Sequence, residues 1–194
     1  ITAISAEDEA VRRELGGRGP QNDAIPLRKL DLRQLAWSAR KRRRPKFRNH
    51  DGASKVKQHV DPEVWRTYFK MAVVRNPWDR FVSFYFWRGG DARYGTPSKL
   101  LQAPEMALLD QRGRAIYCID GEVVVDRIYR YEDLPGMMED LSQRLGVEVR
   151  MPDYRAKGRA RTDRRSYREI LTDADAEAIA ERFAWQIERF GYTF

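Results

Sequence analysis

The segment from Tyr68 to Trp87 constrains the fold of this 194-residue chain most strongly. Residues Tyr68–Val74 are nearly all apolar and bounded at both ends, which predicts a strand buried on both faces of a parallel sheet. Arg75 ends this run, Asn76 is suited to cap a helix, and Pro77 is suited to its first turn. The helix that follows is predicted to bury one apolar stripe, because apolar residues recur at helical spacing. The stripe consists of Trp78, Phe81, Val82, Tyr85 and Phe86.

Weaker signals of the same kind recur along the rest of the chain. Strands that alternate with helices favour a three-layer α/β fold with a mainly parallel central sheet, formed by a single domain over residues 1–194. The remaining predicted elements are helices at Ser5–Leu15, Leu27–Ala39, Pro62–Trp65, Leu134–Leu145 and Thr172–Phe190, and a strand at Val123–Tyr129.

The chain carries a net charge of +8, from 37 basic and 29 acidic residues. Its basic residues concentrate in two blocks, Arg40–Arg48 and Arg155–Arg168, and such blocks attract nucleic acid, an anionic surface or a phosphorylated small molecule. A solvated loop is an equally simple explanation of the first block. A nucleic-acid-binding module is one candidate function, although no helix-turn-helix spacing, aromatic ribonucleoprotein motif or Cys/His zinc pattern accompanies the charge.

Cys118 is the only cysteine in the sequence. It has no partner for an internal disulfide and forms no thiolate cluster, so we expect no metal cofactor. The lone thiol fits a reducing, cytoplasmic setting. The longest apolar runs, among them Met71–Val74 and Val123–Val125, are far too short to span a bilayer.

Arg75 is the leading candidate for binding an anion. Ligands of open α/β sheets bind beyond the carboxyl ends of the strands, and Arg75 follows such an end directly before a helix. Its guanidinium, free backbone N–H groups and the positive end of the helix dipole can converge there on one anion. Ser83 lies seven residues after Asn76 at the same azimuth of the helix, so its hydroxyl can reach the same anion. The alternative is that Arg75 pairs with a carboxylate and Ser83 faces water.

The motif at Arg75–Ser83 has the sequence R-N-P-W-D-R-F-V-S. It closely resembles the 3′-phosphate-binding motif of sulfotransferases, and most of all the carbohydrate-type pattern R-N-P-[WY]-[DE]-R-hydrophobic-[VI]-S. The resemblance implies a P-loop-nucleotide-kinase-like fold in which Arg75 and Ser83 hold the 3′-phosphate of 3′-phosphoadenosine-5′-phosphosulfate (PAPS). Weaker resemblances lie at Tyr68–Lys70, Arg130–Leu134 and Phe190–Phe194.

The same resemblance implies an enzyme that transfers a sulfonate group from PAPS to a hydroxyl acceptor and releases adenosine 3′,5′-bisphosphate (PAP). Transfer of this kind relies on positioning and charge stabilisation, together with a base for the acceptor hydroxyl. The resemblance favours His50, which lies 25 residues before Arg75, with His59 as the alternative. Glu63 or Glu132 could serve instead. The carbohydrate-type branch implies a glycan or glycolipid as acceptor, and no nucleic-acid partner is expected.

Sulfotransferases often close a basic loop over the nucleotide before their last helix. Lys157, Arg159 and Arg161 lie at a similar place here, and Gly158 would let the backbone approach the ligand. The alternative is a solvated basic loop.

Sulfotransferases normally hold the 5′-phosphosulfate with a strand-loop-helix resembling P-K-[TS]-[GA]-[GST]-[TS]. No such string precedes Arg75, and Gly16–Pro20 is a poor substitute because no strand precedes it and Pro20 lacks an amide donor. We therefore expect this segment upstream of Ile1, and an unpaired edge on the strand at Tyr68–Val74. A sulfotransferase-like scaffold that binds glycans or partners without catalysis is a further alternative.

Overall fold

The computed structural model describes residues 25, 27–42, 47, 50–150, 161 and 163–194, without the side chain of Leu108. The predicted helix Ser5–Leu15 and part of the basic block Arg40–Arg48 lie outside the described residues. Two of the predicted nucleotide ligands, Lys157 and Arg159, also lie outside them.

Short strands lie between groups of helices along the described chain, so helices and strands are mixed in sequence. A 3₁₀ turn at Leu27–Lys29 and helices α1 (Leu32–Lys41), α2 (Ala53–His59) and α3 (Pro62–Thr67) precede strand β1 (Met71–Val74). Helices α4 (Pro77–Trp87), α5 (Gly90–Tyr94), α6 (Pro97–Leu101) and α7 (Glu105–Ala115) then lead to strands β2 (Cys118–Ile119), β3 (Glu122–Val123) and β4 (Arg127–Arg130). A second 3₁₀ turn at Tyr131–Asp133 is followed by α8 (Leu134–Leu145), α9 (Tyr167–Ile170), α10 (Asp173–Arg182) and α11 (Ala184–Phe190). No helix in the described ranges is long and apolar enough to cross a membrane.

Strands β1 and β4 form a small parallel sheet. Their starts are joined because the carbonyl oxygen of Lys70 accepts hydrogen bonds from the N–H groups of Asp126 (2.8 Å) and Arg127 (3.2 Å). Within the described residues β4 is the only strand paired with β1, so the other edge of β1 is unpaired there. The larger three-layer arrangement and the further strand beside β1 stay predictions.

The strand predicted at Tyr68–Val74 is shorter and less buried than expected. Only Met71–Val74 forms the strand, and its burial alternates: Ala72 and Val74 are buried, whereas Val73 is 43% exposed. The prediction that both faces are buried is therefore wrong for the described structure. The strand predicted at Val123–Tyr129 is likewise divided, because β3 pairs with β2 in an antiparallel hairpin before β4 begins.

Local signals predicted the helices better than the strands. The helix predicted from Pro77 to Trp87 is confirmed, and α8 covers the predicted Leu134–Leu145. The helix predicted at Leu27–Ala39 is a 3₁₀ turn and α1 instead, since Asp31 caps α1 by accepting from the N–H of Gln34 at 2.8 Å. The predicted helix Thr172–Phe190 is divided into α10 and α11 at a buried phenylalanine, Phe183.

The chain divides into two compact units. The first comprises residues 1–72, 112–128 and 143–147, and a buried lysine, Lys70, organises its described part. The Lys70 ammonium lies 2.8 Å from the Asp126 carboxylate, 2.9 Å from the carbonyl oxygen of Tyr68 and 5.6 Å from the ring centre of Trp65. These contacts satisfy a charge that would otherwise be costly to bury.

The second unit comprises residues 73–111, 129–142 and 148–194, and α4 provides much of its core. The predicted apolar stripe of α4 is buried at four of its five positions, and Phe86 is half-buried. The indole N–H of Trp78 donates to the carbonyl oxygen of Ala176 in α10 at 2.9 Å. This contact holds α10 against the first turn of α4, which is where the candidate site lies.

Candidate functional site

The turn between β1 and α4 carries the predicted anion site. Asn76 caps α4, because its side-chain oxygen accepts from the N–H groups of Trp78 (3.0 Å) and Asp79 (3.3 Å). The N–H of Asn76 itself donates to the carboxylate of Glu132 at 2.7 Å, and Pro77 has no N–H. The prediction that free backbone N–H groups bind the anion is therefore wrong, since these donors already have acceptors within the protein. An anion at this turn would be bound by side chains.

The guanidinium of Arg75 is held on two sides. Its Nε and Nη2 donate to one carboxylate oxygen of Asp79, at 2.6 Å and 2.5 Å. Its Cζ lies 4.4 Å from the ring centre of Tyr131. The remaining nitrogen, Nη1, lies 3.2 Å from the hydroxyl oxygen of Ser83. The structure thus brings the two predicted phosphate ligands, Arg75 and Ser83, together at one point.

This geometry decides between the two interpretations of Arg75 only in part. Arg75 does pair with a carboxylate, that of Asp79, as the alternative supposed. However, Ser83 contacts Arg75 rather than merely facing water. Asp79 occupies the Nε edge of the guanidinium, so the Nη1 end and the Ser83 hydroxyl are the groups placed to face a shared ligand.

Arg161, the third described residue predicted to bind the nucleotide, lies in the same cluster. Its Nη1 donates to the second carboxylate oxygen of Asp79 at 3.2 Å. Its Nε donates to the carbonyl oxygen of Asp163 at 2.9 Å, and its Nη2 donates to that of Arg165. Because all three of its nitrogens are engaged within the chain, Arg161 connects the end of the basic segment to α4. Its role as a nucleotide ligand stays a prediction.

The two histidines predicted as possible bases differ in their surroundings. His50 is exposed in a turn and has a left-handed backbone conformation, with φ of 65°. His59 is only 5% exposed, and its Nδ1 lies 2.8 Å from the carbonyl oxygen of Lys55. This carbonyl can only accept, so Nδ1 carries the hydrogen of this hydrogen bond. His50 is the more accessible of the two histidines, and the choice between them stays a prediction.

The two carboxylates considered as substitute bases already have other partners. Glu132 accepts from the N–H of Asn76 and from the hydroxyl of Tyr192 at 3.2 Å. Glu63 is exposed and pairs with Arg66 at 2.5 Å within α3. Glu132 therefore holds the backbone of the site at Asn76. Within the described residues no group of three or more His, Cys, Asp or Glu side chains is placed to hold a metal ion.

Sequence reasoning missed the residues that surround Arg75. Asp79 lies in the main motif and Tyr131 in the weaker resemblance at Arg130–Leu134, but neither has a predicted role, and Gln186 is not among the predicted residues. One signal in the sequence could have predicted that Tyr131 lies beside Arg75. The carboxyl ends of adjacent parallel strands lie at the same edge of a sheet. Parallel pairing of β1 and β4 therefore places the residues after β4 beside those after β1. Nothing in the sequence marks Gln186.

Comparison with known proteins identifies a family for part of this chain. A model described as the sulfotransferase family matches residues 27–100, a stretch that includes β1, the whole of α4, Arg75 and Ser83. The matched stretch covers fewer than half of the 194 residues. The comparisons with curated proteins and with solved structures gave no match.

Proposed function

We propose that this protein transfers a sulfonate group from PAPS to a hydroxyl group of a carbohydrate acceptor. The observation that carries the proposal is the convergence of the Arg75 guanidinium and the Ser83 hydroxyl, 3.2 Å apart, at the carboxyl end of β1. The family match over the same residues supports it. A three-layer, P-loop-nucleotide-kinase-like arrangement of a single domain over residues 1–194 belongs to the same proposal.

The 3′-phosphate of PAPS suits this pair of groups. This phosphate is a dianion with three acceptor oxygens, and the Nη1 end of the Arg75 guanidinium together with the Ser83 hydroxyl supplies donors for two of them. Both residues are half-buried, so solvent weakens the attraction less than it would at a fully exposed site. Asp79 pairs with both Arg75 and Arg161, and these three side chains together carry one net positive charge.

The reaction would proceed as an in-line displacement at sulfur. The acceptor oxygen forms a bond to sulfur while the bond between sulfur and the bridging oxygen breaks, and PAP leaves with the electron pair of that bond. The proton of the acceptor hydroxyl passes to His50 or, alternatively, to His59. Lys157, Arg159 and Arg161 are assigned to the basic loop that closes over the nucleotide.

The experiment that tests this function compares two nucleotides that differ only in the 3′-phosphate. PAP and adenosine 5′-monophosphate are titrated separately into the protein by calorimetry. Charge-assisted contacts contribute roughly 1.5 to 3 kcal/mol each, so PAP should bind tighter by about one to two decades. Equal affinity for the two nucleotides would contradict the proposal.

Two further outcomes would identify the alternatives. Binding to polynucleotides that falls steeply with salt, without binding to PAP, would indicate a nucleic-acid-binding module. Tight PAP binding without transfer of labelled sulfonate to any acceptor in a carbohydrate screen would indicate a non-catalytic scaffold.

A further inference from the structure

The peptide group that joins Arg75 to Asn76 is held by side chains at both of its polar ends. Its N–H, on Asn76, donates to one carboxylate oxygen of Glu132 at 2.7 Å. Its carbonyl oxygen, on Arg75, accepts from the side-chain amide of Gln186 in α11 at 3.1 Å. A peptide at the end of a strand would ordinarily bond to a neighbouring strand or to water. Here two side chains from distant parts of the sequence fix the peptide plane.

Glu132 is itself held in place. Its second carboxylate oxygen accepts from the hydroxyl of Tyr192 at 3.2 Å, and Tyr192 is buried. Burial and the neighbouring Glu132 carboxylate both raise the pKa of Tyr192, so its hydroxyl keeps the hydrogen that it donates. The residue before Glu132, Tyr131, provides the ring against which the Arg75 guanidinium packs. The turn after β4 therefore holds both the backbone and the side chain of Arg75.

The plane of this peptide determines where the Arg75 side chain can point. It fixes the last backbone angle of Arg75 and the first of Asn76, and these angles set the direction in which α4 leaves β1. Ser83 lies two turns along α4, so a rotation of the peptide would move its hydroxyl relative to the Arg75 guanidinium. Gln186 is only 3% exposed, so the side chain that donates to the carbonyl at the other end of the peptide is held away from bulk water.

We infer that Glu132 and Gln186 are positioning residues for the phosphate site, acting through the Arg75–Asn76 peptide and not through contact with the nucleotide. The inference rests on the proposed function, because it concerns the same PAP site. It assigns to Glu132 the task of accepting a hydrogen bond from the N–H of Asn76.

The test measures PAP affinity by calorimetry in variants of the complete chain, at a temperature at which each variant is fully folded. Glu132→Ala leaves the N–H of Asn76 without its acceptor and should weaken PAP binding about tenfold. Glu132→Gln keeps an oxygen for that N–H and should stay within about threefold of the wild type. Glu177→Ala, at an exposed position of α10, is the matched control and should bind PAP as the wild type does. A purely structural role predicts lower stability with unchanged affinity in the folded protein, and that result would overturn the inference.

A double-mutant cycle shows whether Glu132 acts through Arg75. If it does, Glu132→Ala should weaken PAP binding much less in an Arg75→Ala background than in the wild type. Equal effects in both backgrounds would contradict the inference. If Arg75→Ala alone leaves PAP affinity unchanged, the proposed function fails; if Arg75→Ala weakens binding and Glu132→Ala does not, only the positioning role fails.

A second variant covers the case in which Glu132→Ala does not fold. Gln186→Met has nearly the volume of glutamine but no donor for the carbonyl of Arg75. It should weaken PAP binding about three- to tenfold. Unchanged PAP affinity in this variant would refute the role of Gln186 in positioning the Arg75–Asn76 peptide.

Discussion

Replacement of Asp126 by asparagine tests how the first unit is held together. One oxygen of the Asp126 carboxylate accepts both from the Lys70 ammonium, at 2.8 Å, and from the Lys70 N–H, at 2.6 Å. Asparagine keeps one acceptor oxygen but removes the negative charge beside a lysine that is only 8% exposed. The ammonium would retain the carbonyl oxygen of Tyr68 as an acceptor.

The expected loss of stability follows from these contacts. A hydrogen bond to a charged group contributes about 1.5 to 3 kcal/mol, and the side chain of Asp126 is 45% exposed, so solvent screening moves the effect to the low end. We therefore expect Asp126→Asn to lower the free energy of unfolding by about 1 to 2 kcal/mol. In urea this change should lower the midpoint of the unfolding transition by roughly 0.5 to 1 M. The slope of the free energy of unfolding against urea concentration should stay the same. The control is Asp120→Asn, because Asp120 is exposed and has a left-handed conformation that asparagine also tolerates.

The pH dependence of this difference gives a second, independent check. Burial acts to raise the pKa of Asp126, but the hydrogen bonds and charge of Lys70 outweigh it and lower that pKa below its ordinary value. A carboxylate with a lowered pKa in the folded state stabilises fully above its unfolded pKa of about 4 and loses this contribution as the pH falls further. The stability gap between wild type and Asp126→Asn should thus be constant from pH 7 to about pH 5 and close below about pH 4. A gap that is absent at pH 7, or that persists undiminished at pH 3, would refute the reasoning.

Two further predictions concern packing and the base. Gly52→Ala would place a methyl group 2.9 Å from the carbonyl oxygen of Ala115, although the backbone φ of −69° suits alanine. Thermal unfolding should therefore show that the free energy of unfolding falls by about 1 to 2 kcal/mol. A gain in stability would contradict the predicted clash. His50→Gln and His59→Gln should separate the two candidate bases in a labelled-PAPS transfer assay. Loss of the true base should lower turnover by roughly two to four decades and leave PAP affinity intact, and if neither variant does so the base is not a histidine.

The sequence predicts α4 and its site well because the signals there are local. Asn76 and Pro77 define the start of the helix, and the apolar spacing defines its buried face. The spacing of Arg75 and Ser83 across the turn predicts that both can reach one anion, and the structure places the two side chains 3.2 Å apart. Each of these signals lies within twenty residues of the others.

Features that depend on distant residues could not be predicted in the same way. An apolar run such as Met71–Val74 does not reveal how many neighbours its strand has, and Val73 is exposed although its character suggested burial. Glu132 and Gln186 lie 56 and 111 residues from the groups that they bind at the Arg75–Asn76 peptide. Their hydrogen bonds leave no periodic pattern, so only the folded structure shows that the backbone amides of the site are occupied.

The central claim, that the Arg75 side chain binds the 3′-phosphate of the donor, is tested most directly by the nucleotide preference of Arg75→Ala. Calorimetric titrations with PAP and with adenosine 5′-monophosphate are compared in the wild type, in this variant and in Arg33→Ala, a control at an exposed position of α1. We predict that the wild type and the control prefer PAP by about one to two decades, and that Arg75→Ala loses most of this preference while its affinity for adenosine 5′-monophosphate is unchanged. A folded Arg75→Ala protein that still prefers PAP as strongly as the wild type would contradict the claim.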